Sequence, residues 1–362
     1  MRKYQYILFL FLLCACGNSQ ENTLSNSLAK KQTDLILKKA KDFPNQTELS
    51  IGIIKNGAVN YDGVKLENES IFNVDNYKSV FEIGSITKVF TATLLANFAL
   101  DKKLNLDDKI NSYIHVKLNN GTELSFKQLA NHTSGLPRLP SNLNLALANL
   151  KNPYQKYTRE KLESYLSNQL ELVNISGEHY EYSNLGCGLL GYVLCNIENS
   201  SYENILYKYI LSKYNMTNST TKRENVEGLI IKGLDESGNK VPNWDLSVLA
   251  GSGAMLSTVE DLSKFALAQF DNTNKELKLT RTKTFTINTI SDYGLGWEII
   301  NRKSGDIWYK HNGGTGGYSS SLIIDSTNKN GIIILSNVST YSNKSRIIND
   351  LSFELMKTLD NN

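Results

Sequence analysis

The stretch that most constrains this chain covers residues 81–96, where Gly84 and Ser85 precede a mostly apolar run. The run predicts a helix, with Gly84 as the breaker and Ser85 in the first turn. Residues three apart share one face of a helix, so the Ser85 hydroxyl and the Lys88 amine are expected to touch. A serine becomes a nucleophile when a neighbouring base takes its proton, and a neutral lysine can be that base. The free N–H groups of the helix N-terminus can also stabilise an anion.

The Ser-x-x-Lys pattern alone is a weak signal, because a serine at this position is also an ordinary helix cap. The pattern occurs five times, and four copies lie in polar, turn-like surroundings or at the edge of the N-terminal tail. The copies are Ser27/Lys30, Ser85/Lys88, Ser219/Lys222, Ser237/Lys240 and Ser326/Lys329. Only the second copy precedes an apolar helix, which makes it the candidate nucleophile and base.

Residues 1–16 have the pattern of a targeting segment. Arg2 and Lys3 precede the apolar run 7–13, which is too short to span a bilayer and is typical of a secretory signal. The sequence Leu-Cys-Ala-Cys that ends at Cys16 resembles a bacterial lipobox, in which the last cysteine is lipid-modified. A cleaved signal without lipid and a short N-terminal anchor are the alternatives.

Residues 17–31 are rich in Asn, Ser and Gln and are predicted to form a polar tether. The folded domain is then expected over 32–362. Together with the lipobox, this tether predicts a protein of the bacterial cell envelope that is lipid-anchored and faces the periplasm. Which membrane holds the anchor is left open by the sequence.

Composition and cysteine spacing give no indication of nucleic-acid binding, of a disulfide or of a metal site. The 362 residues are 40% hydrophobic and 21% charged, enough for a large core, and a net charge of +3 without a basic run does not indicate a nucleic-acid partner. Cys187 and Cys195 fall on one predicted helix, about 12 Å apart, which is too far for a disulfide. No Cys/His cluster has the spacing of metal ligands, so neither metal nor cofactor is expected. We expect a monomer.

Strand patterns lie at both ends of the chain, and helical patterns lie between them. Residues 49–61 predict a hairpin around Asn56-Gly57, and later strands are predicted at 293–300, 308–311, 319–325 and 331–336. Helices are predicted at 28–41, 124–130, 184–197 and 346–359. The arrangement predicts an α/β lobe of about 32–100 and 245–362, with a helical lobe of about 101–244 inserted.

Three motifs stand out in this order: Ser85-x-x-Lys88, Tyr182-Ser183-Asn184 and His311-Asn312-Gly313. Shorter characteristic stretches lie at 106–108, 131–137, 257–262, 293–297 and 316–318. With these motifs, the chain resembles the class C β-lactamase and penicillin-recognising serine hydrolase family, which also contains D-alanyl-D-alanine carboxypeptidases and esterases. The resemblance covers about 49–337. It implies a β-lactamase/transpeptidase-like fold, an antiparallel sheet flanked by helices with an inserted all-helical lobe.

The resemblance implies a role for each motif residue. Ser85 would attack a carbonyl and form an acyl-enzyme, and Lys88 would take or relay its proton. A tyrosine ionises near pH 10 in water, so Tyr182 can serve as base and proton donor only if nearby cations favour the phenolate. Asn184 would bind a substrate amide, with helix capping as the alternative, while Ser183 is expected to be the cap.

By the same resemblance, the third motif would lie on a strand that faces the substrate. His311 would bind a substrate carboxylate or hold the tyrosine, where the family has lysine, or histidine in some peptidases and esterases. The alternative is a histidine that only ends a strand. Gly313 would let substrate approach the backbone, and the N–H groups of Ser85 and Gly314 would form the oxyanion hole. Because histidine is mostly neutral near pH 7, the substitution favours peptidase or esterase activity over efficient β-lactamase activity.

The sequence therefore predicts a serine hydrolase acting on D-amino-acid peptides or related amides, including β-lactams. An esterase for small acyl esters and a non-catalytic peptidoglycan-binding lipoprotein are the alternatives. A Ser-His-Asp hydrolase is excluded because no Gly-x-Ser-x-Gly elbow occurs. The remaining histidines are expected to be structural (His132) or on the surface (His115 and His179).

Overall fold

The computed structural model describes residues 29–143 and 151–360. The predicted signal segment, Cys16 and most of the predicted tether lie outside the described residues. Within those two ranges, no helix is both long enough and apolar enough to cross a membrane.

A nine-stranded antiparallel sheet forms the centre of the fold, in the order β3-β2-β1-β11-β10-β9-β8-β7-β6. Strands β4 and β5 make a separate two-stranded pair. The strands are β1 (Glu48–Lys55), β2 (Ala58–Glu67), β3 (Ser70–Asn73), β4 (Phe81–Glu82), β5 (Leu256–Ser257), β6 (Phe285–Thr286), β7 (Ser291–Tyr293), β8 (Glu298–Asn301), β9 (Ile307–Gly314), β10 (Ser319–Asp325) and β11 (Asn330–Ser336). Since β1 pairs with β11, with Ile51 opposite Ile334, the two ends of the described chain share one sheet.

Helices lie on both faces of this sheet. The helices of the described ranges are α1 (Lys30–Ala40), α2 (Thr87–Leu100), α3 (Phe126–Ala130), α4 (Arg159–Asn168), α5 (Asn184–Glu198), α6 (Tyr202–Leu206), α7 (Val259–Gln269), α8 (Lys275–Arg281) and α9 (Ser345–Lys357). Helices α9 and α1 lie on one face and α7 on the other. Helices α2 to α6 lie between β4 and β5 in the chain. This arrangement confirms the predicted α/β class with an antiparallel sheet flanked by helices.

The central strands β10 and β11 are buried along their whole length. Successive side chains of a strand point to opposite faces. Ile323 and Ile334 therefore pack with α1 and α9 in one core, whereas Ile324 and Ile333 pack with α2 and α7 in the other. Coverage on both faces explains why these strands read as continuous apolar runs rather than as alternating ones.

Local sequence signals predicted several elements correctly. The hairpin β1–β2 turns at Asn56 and Gly57, which have φ of +51° and +80° as a type I′ turn requires. Helix α5 begins at Asn184, and the Ser183 hydroxyl accepts a hydrogen bond from the Gly186 N–H, as a cap should.

The single strand predicted at 293–300 was wrong. The segment is a hairpin of β7 and β8, closed by a hydrogen bond from the Gly294 N–H to the Trp297 carbonyl. Gly296 in the turn has a φ of +73°, which favours glycine, and a Cβ there would lie 2.8 Å from the Lys88 carbonyl. The turn therefore forms because this backbone packs directly against α2.

Candidate active site

Ser85 lies on a tight turn between β4 and α2. The turn is one 3-10 turn, Gly84–Ile86, which continues directly into α2. Gly84 has a φ of +49°, and a Cβ there would lie 2.4 Å from the backbone nitrogen of Gly314. Glycine is required at this position both for its φ and for the close approach of β9.

Lys88 is buried beneath Ser85, with 1% of its surface exposed. Its Nζ lies 3.0 Å from the Ser85 Oγ, 2.9 Å from the Asn184 Oδ1 and 2.6 Å from the Ser252 carbonyl oxygen. The predicted contact between Ser85 and Lys88 is therefore present. Asn184 accepts a hydrogen bond from Lys88. Ser183 caps α5 as expected, so the alternative in which Asn184 only caps the helix is wrong.

Tyr182 completes the contacts of the serine. Its hydroxyl donates to the Ser85 Oγ at 2.6 Å. Two cations face its ring: the Lys88 Nζ lies 4.9 Å and the Arg138 guanidinium carbon 5.0 Å from the ring centroid. The Tyr182 ring is therefore in contact range of a cation on the Lys88 side and of a second cation on the Arg138 side.

The ring of His132 packs against the ring of Tyr182, a contact that was not predicted from the sequence. Its ring centroid lies 4.5 Å from that of Tyr182, and its Nδ1 accepts a hydrogen bond from the Ser183 N–H at 3.2 Å. Burial, and then the charge of Lys88, hold the pKa of His132 well below its usual range. A neutral ring fits the acceptor role of Nδ1. The predicted structural role is consistent with these contacts, and His115 and His179 are exposed as expected.

Strand β9 packs against the turn that carries Ser85 at two glycines, Gly313 and Gly314. A Cβ on Gly313 would lie 1.9 Å from the Ile83 carbonyl oxygen, and one on Gly314 would lie 2.4 Å from the Thr340 Oγ1. Both positions therefore require glycine. Since the Gly314 nitrogen lies beside Gly84, the backbone N–H groups named for the oxyanion hole belong to neighbouring segments.

His311 is buried beside Tyr182, with ring centroids 6.5 Å apart. Burial and the charge of Lys88 lower the pKa of His311 to about 3, so the ring is neutral near pH 7. Its Nδ1 lies 2.7 Å from the Asn312 carbonyl oxygen. Because a carbonyl only accepts, Nδ1 carries the proton and Nε2 is left as an acceptor.

Two neighbouring cavities open onto these residues. The cleft, about 920 Å³, is lined by Ser85, Asn184, Gly313 and Gly314, together with an aromatic wall. The recess, about 290 Å³, adjoins it and is lined by Tyr182, His311, Arg138, Tyr180, Tyr293, Glu298, Lys310 and Asn312. The wall consists of Tyr154, Trp244 and Tyr341, whose successive ring centroids are 5.4 Å and 6.3 Å apart. The predicted site residues within the described chain thus lie around the cleft and the adjoining recess.

The described ranges contain no group of three His, Cys, Asp or Glu side chains arranged to hold a metal ion. Cys187 and Cys195 are both on α5 and both free.

A sequence model of the family described as Beta-lactamase matches residues 41–354. The chain belongs to the beta-lactamase family. Its members share a serine hydrolase fold, in agreement with the Ser-Lys-Tyr arrangement at the cleft.

The chain is similar to curated proteins and to solved structures at low sequence identity. "Protein flp" of Staphylococcus aureus strain MW2 is 26% identical over 335 residues, which are 86% of this chain and 64% of that protein. The chain therefore spans less than two thirds of the length of this relative. Among solved structures, a "Beta-Lactamase/D-Alanine Carboxypeptidase" from Pseudomonas syringae is similar, with 20% identity, coverage of 91% and 99%, and a TM-score of 0.75. A class C beta-lactamase is 22% identical, with coverage of 92% and 96% and a TM-score of 0.74. At these identities the likeness shows the fold.

Proposed function

We propose that this protein is a serine hydrolase that forms an acyl-enzyme on Ser85 and acts on D-amino-acid peptides or related amides. The observation behind the proposal is the position of the Ser85 Oγ. It lies within hydrogen-bond distance of both the Lys88 Nζ, at 3.0 Å, and the Tyr182 hydroxyl, at 2.6 Å, at the edge of a large cleft. A nucleophile with two potential proton acceptors at this distance is the arrangement that acyl transfer needs.

In acylation, the Ser85 oxygen forms a bond to the substrate carbonyl carbon while its proton passes to the neutral amine form of Lys88 or to the phenolate form of Tyr182. The carbonyl oxygen becomes an oxyanion that accepts hydrogen bonds from the N–H groups of Ser85 and Gly314. When the carbon–nitrogen bond breaks, the proton passes through Tyr182 to the leaving nitrogen. In deacylation a water molecule attacks the ester carbon, loses its proton to the same groups, and returns the serine hydroxyl.

The cleft offers polar and apolar contacts to such a substrate. Asn184 is held in place because its Oδ1 accepts from Lys88, which directs its amide N–H₂, the donor group, away from Lys88 for donation to a substrate carbonyl. The aromatic wall can pack against an apolar acyl group. Neutral His311 offers no fixed cation, which favours peptidase over efficient β-lactamase activity. The neutral His311 and the aromatic wall also favour an esterase for small acyl esters as the second candidate.

The sequence of residues 1–31 supports a proposal about location. We propose that Cys16 is lipid-modified and anchors the enzyme in the cell envelope, facing the periplasm. Its substrates would then be fragments of the cell wall. Metabolic labelling with an alkyne fatty acid should mark the wild-type protein and not Cys16→Ser, and equal labelling of both would contradict the lipid anchor.

The activity itself is tested by incubating the purified domain with three substrates: an acyl-D-alanyl-D-alanine peptide, a chromogenic cephalosporin and p-nitrophenyl acetate. We expect release of D-alanine by the wild type and none above background by Ser85→Ala. Hydrolysis of the ester alone would favour the second candidate. Turnover of any substrate that survives in Ser85→Ala would contradict Ser85 as the nucleophile.

A further inference from the structure

Arg138 is an exposed cation that lines both the cleft and the recess. Its guanidinium carbon lies 5.0 Å from the centroid of the Tyr182 ring. Within the described residues, its side chain has no acidic partner and no hydrogen bond. Arginine forms a planar fork that matches a carboxylate in a bidentate pair, so an unpaired guanidinium beside a reaction centre is a candidate anion anchor.

The backbone of Arg138 is fixed to the active-site helix. Its carbonyl oxygen accepts hydrogen bonds from the N–H groups of Asn184 and Leu185, at 3.0 and 3.1 Å. The preceding residue, Pro137, accepts a hydrogen bond from the Ser183 hydroxyl at 2.7 Å. The backbone that carries the guanidinium is therefore hydrogen-bonded to the start of α5, next to Tyr182. Little backbone freedom is lost when a ligand binds to Arg138.

The other cations near the site are already engaged. Lys88 bonds three oxygens, as described above, and His311 is neutral with an acceptor at Nε2. Lys310 in the recess pairs with Glu298 at 3.5 Å. Lys151 lies near Asp235, and its charge, after hydrogen bonds from Asn239 and Ser237, helps lower the pKa of that carboxyl. Among the described residues, Arg138 is therefore the cation near Tyr182 that remains available to a carboxylate of the substrate.

We propose that Arg138 binds a free carboxylate on the leaving group of the substrate, a specificity role that rests on the proposed acyl transfer. Tyr182 delivers the proton to the leaving nitrogen, so the leaving group lies beside the Tyr182 ring, which is also where the guanidinium lies. The leaving group is then an amino acid with a free C-terminal carboxylate. The enzyme therefore removes a single terminal residue instead of cleaving within a chain.

The test compares two peptides, acyl-D-alanyl-D-alanine and its C-terminal amide, which differ only in the charge of the leaving group. The ratio of their kcat/KM values is the readout. One charge-assisted contact predicts that the wild type prefers the carboxylate about 10- to 100-fold. In Arg138→Gln the ratio should fall to within about threefold of one, and Arg138→Lys should retain part of the preference. Arg346→Gln, the same change on an exposed arginine of α9, is the matched control and should keep the wild-type ratio.

Two kinetic results would overturn the proposal. A wild-type preference that survives in Arg138→Gln would mean that another group binds the carboxylate. An equal loss on both peptides would mean that Arg138 acts on Tyr182 or on the fold, because the ratio would not move.

Binding affinities test the role of Arg138 independently of whether the proposed reaction occurs. By calorimetry, Ser85→Ala should bind the carboxylate peptide about tenfold or more tightly than the amide, and Ser85→Ala/Arg138→Gln should bind both equally. If the wild type turns over neither peptide, the reaction is wrong, while the calorimetric difference still decides the role of Arg138. Equal affinities in the Ser85→Ala protein would refute it.

Discussion

Replacing Gly313 by alanine should disable the enzyme while the rest of the fold persists. A Cβ at this position would lie 1.9 Å from the Ile83 carbonyl oxygen and 2.3 Å from the Ser320 Oγ. The serine hydroxyl can rotate away, but the carbonyl belongs to the turn that carries Ser85. Strand β9 and this turn must therefore separate.

The size of the separation follows from the contact distance. Cβ atoms essentially never approach another heavy atom closer than 3.0 Å, so the two segments must move apart by about 1 Å. The N–H groups of Ser85 and Gly314 lie on opposite sides of that gap and would no longer meet one oxyanion. A misplacement of 1 Å can lower a rate about 100-fold, and overpacking of this kind destabilises a fold by about 1–3 kcal/mol.

The assay is the second-order rate of acylation by a fluorescent penicillin, measured beside urea unfolding of the same protein. We expect a loss of about 100-fold or more in Gly313→Ala, with a cooperative unfolding transition retained. Gly228→Ala is the matched control, since a Cβ there meets nothing within 4 Å, and it should acylate at the wild-type rate. A folded Gly313→Ala protein that acylates within about threefold of wild type would refute the reasoning.

Two further predictions concern Tyr182 and Glu82. Tyr182→Phe removes the hydroxyl that donates to Ser85. It should lower kcat/KM about 10²- to 10⁴-fold, while the free energy of unfolding in urea stays nearly unchanged. Activity within tenfold of wild type would contradict a proton-transfer role. Burial raises the pKa of Glu82 to about 7, so between pH 4.5 and 7 the native state keeps a proton that the unfolded chain has lost, and stability falls as pH rises through this window. Glu82→Gln should reduce the fall between pH 5 and pH 8 by roughly 3 kcal/mol, measured by urea unfolding at both values, and an unchanged fall would contradict it.

Features set by a few neighbouring residues were predictable from the sequence. The Asn56-Gly57 turn, the Ser183 cap and the 3.6-residue spacing that brings Lys88 to Ser85 all depend on local geometry. The candidate site was also predictable in its membership, because each of its three motifs could be recognised separately and their order matched a family. Their assembly around one cleft needed the fold.

Features set by distant contacts were not predictable in the same way. The β7–β8 turn bends because Gly296 packs on the backbone of α2, about 200 residues earlier in the chain. Arg138 and His132 reach Tyr182 through hydrogen bonds between a turn and the start of α5, and the sequence shows only that a charged residue follows a recognisable turn motif. A mostly neutral His311 was predictable from the residue type, but its burial beside Lys88, which lowers its pKa to about 3, was not, and the strand predicted to end at His311 continues to Gly314.

The intact mass of the purified domain after incubation with a penicillin tests the central claim, that Ser85 forms an acyl-enzyme, most directly. The account predicts an added mass equal to one penicillin in the wild type, located on the peptide that contains Ser85, and no addition in Ser85→Ala. Penicillin that is consumed without a lasting adduct also agrees, provided that Ser85→Ala stops the consumption. An adduct or a consumption of the penicillin that persists in Ser85→Ala would contradict it.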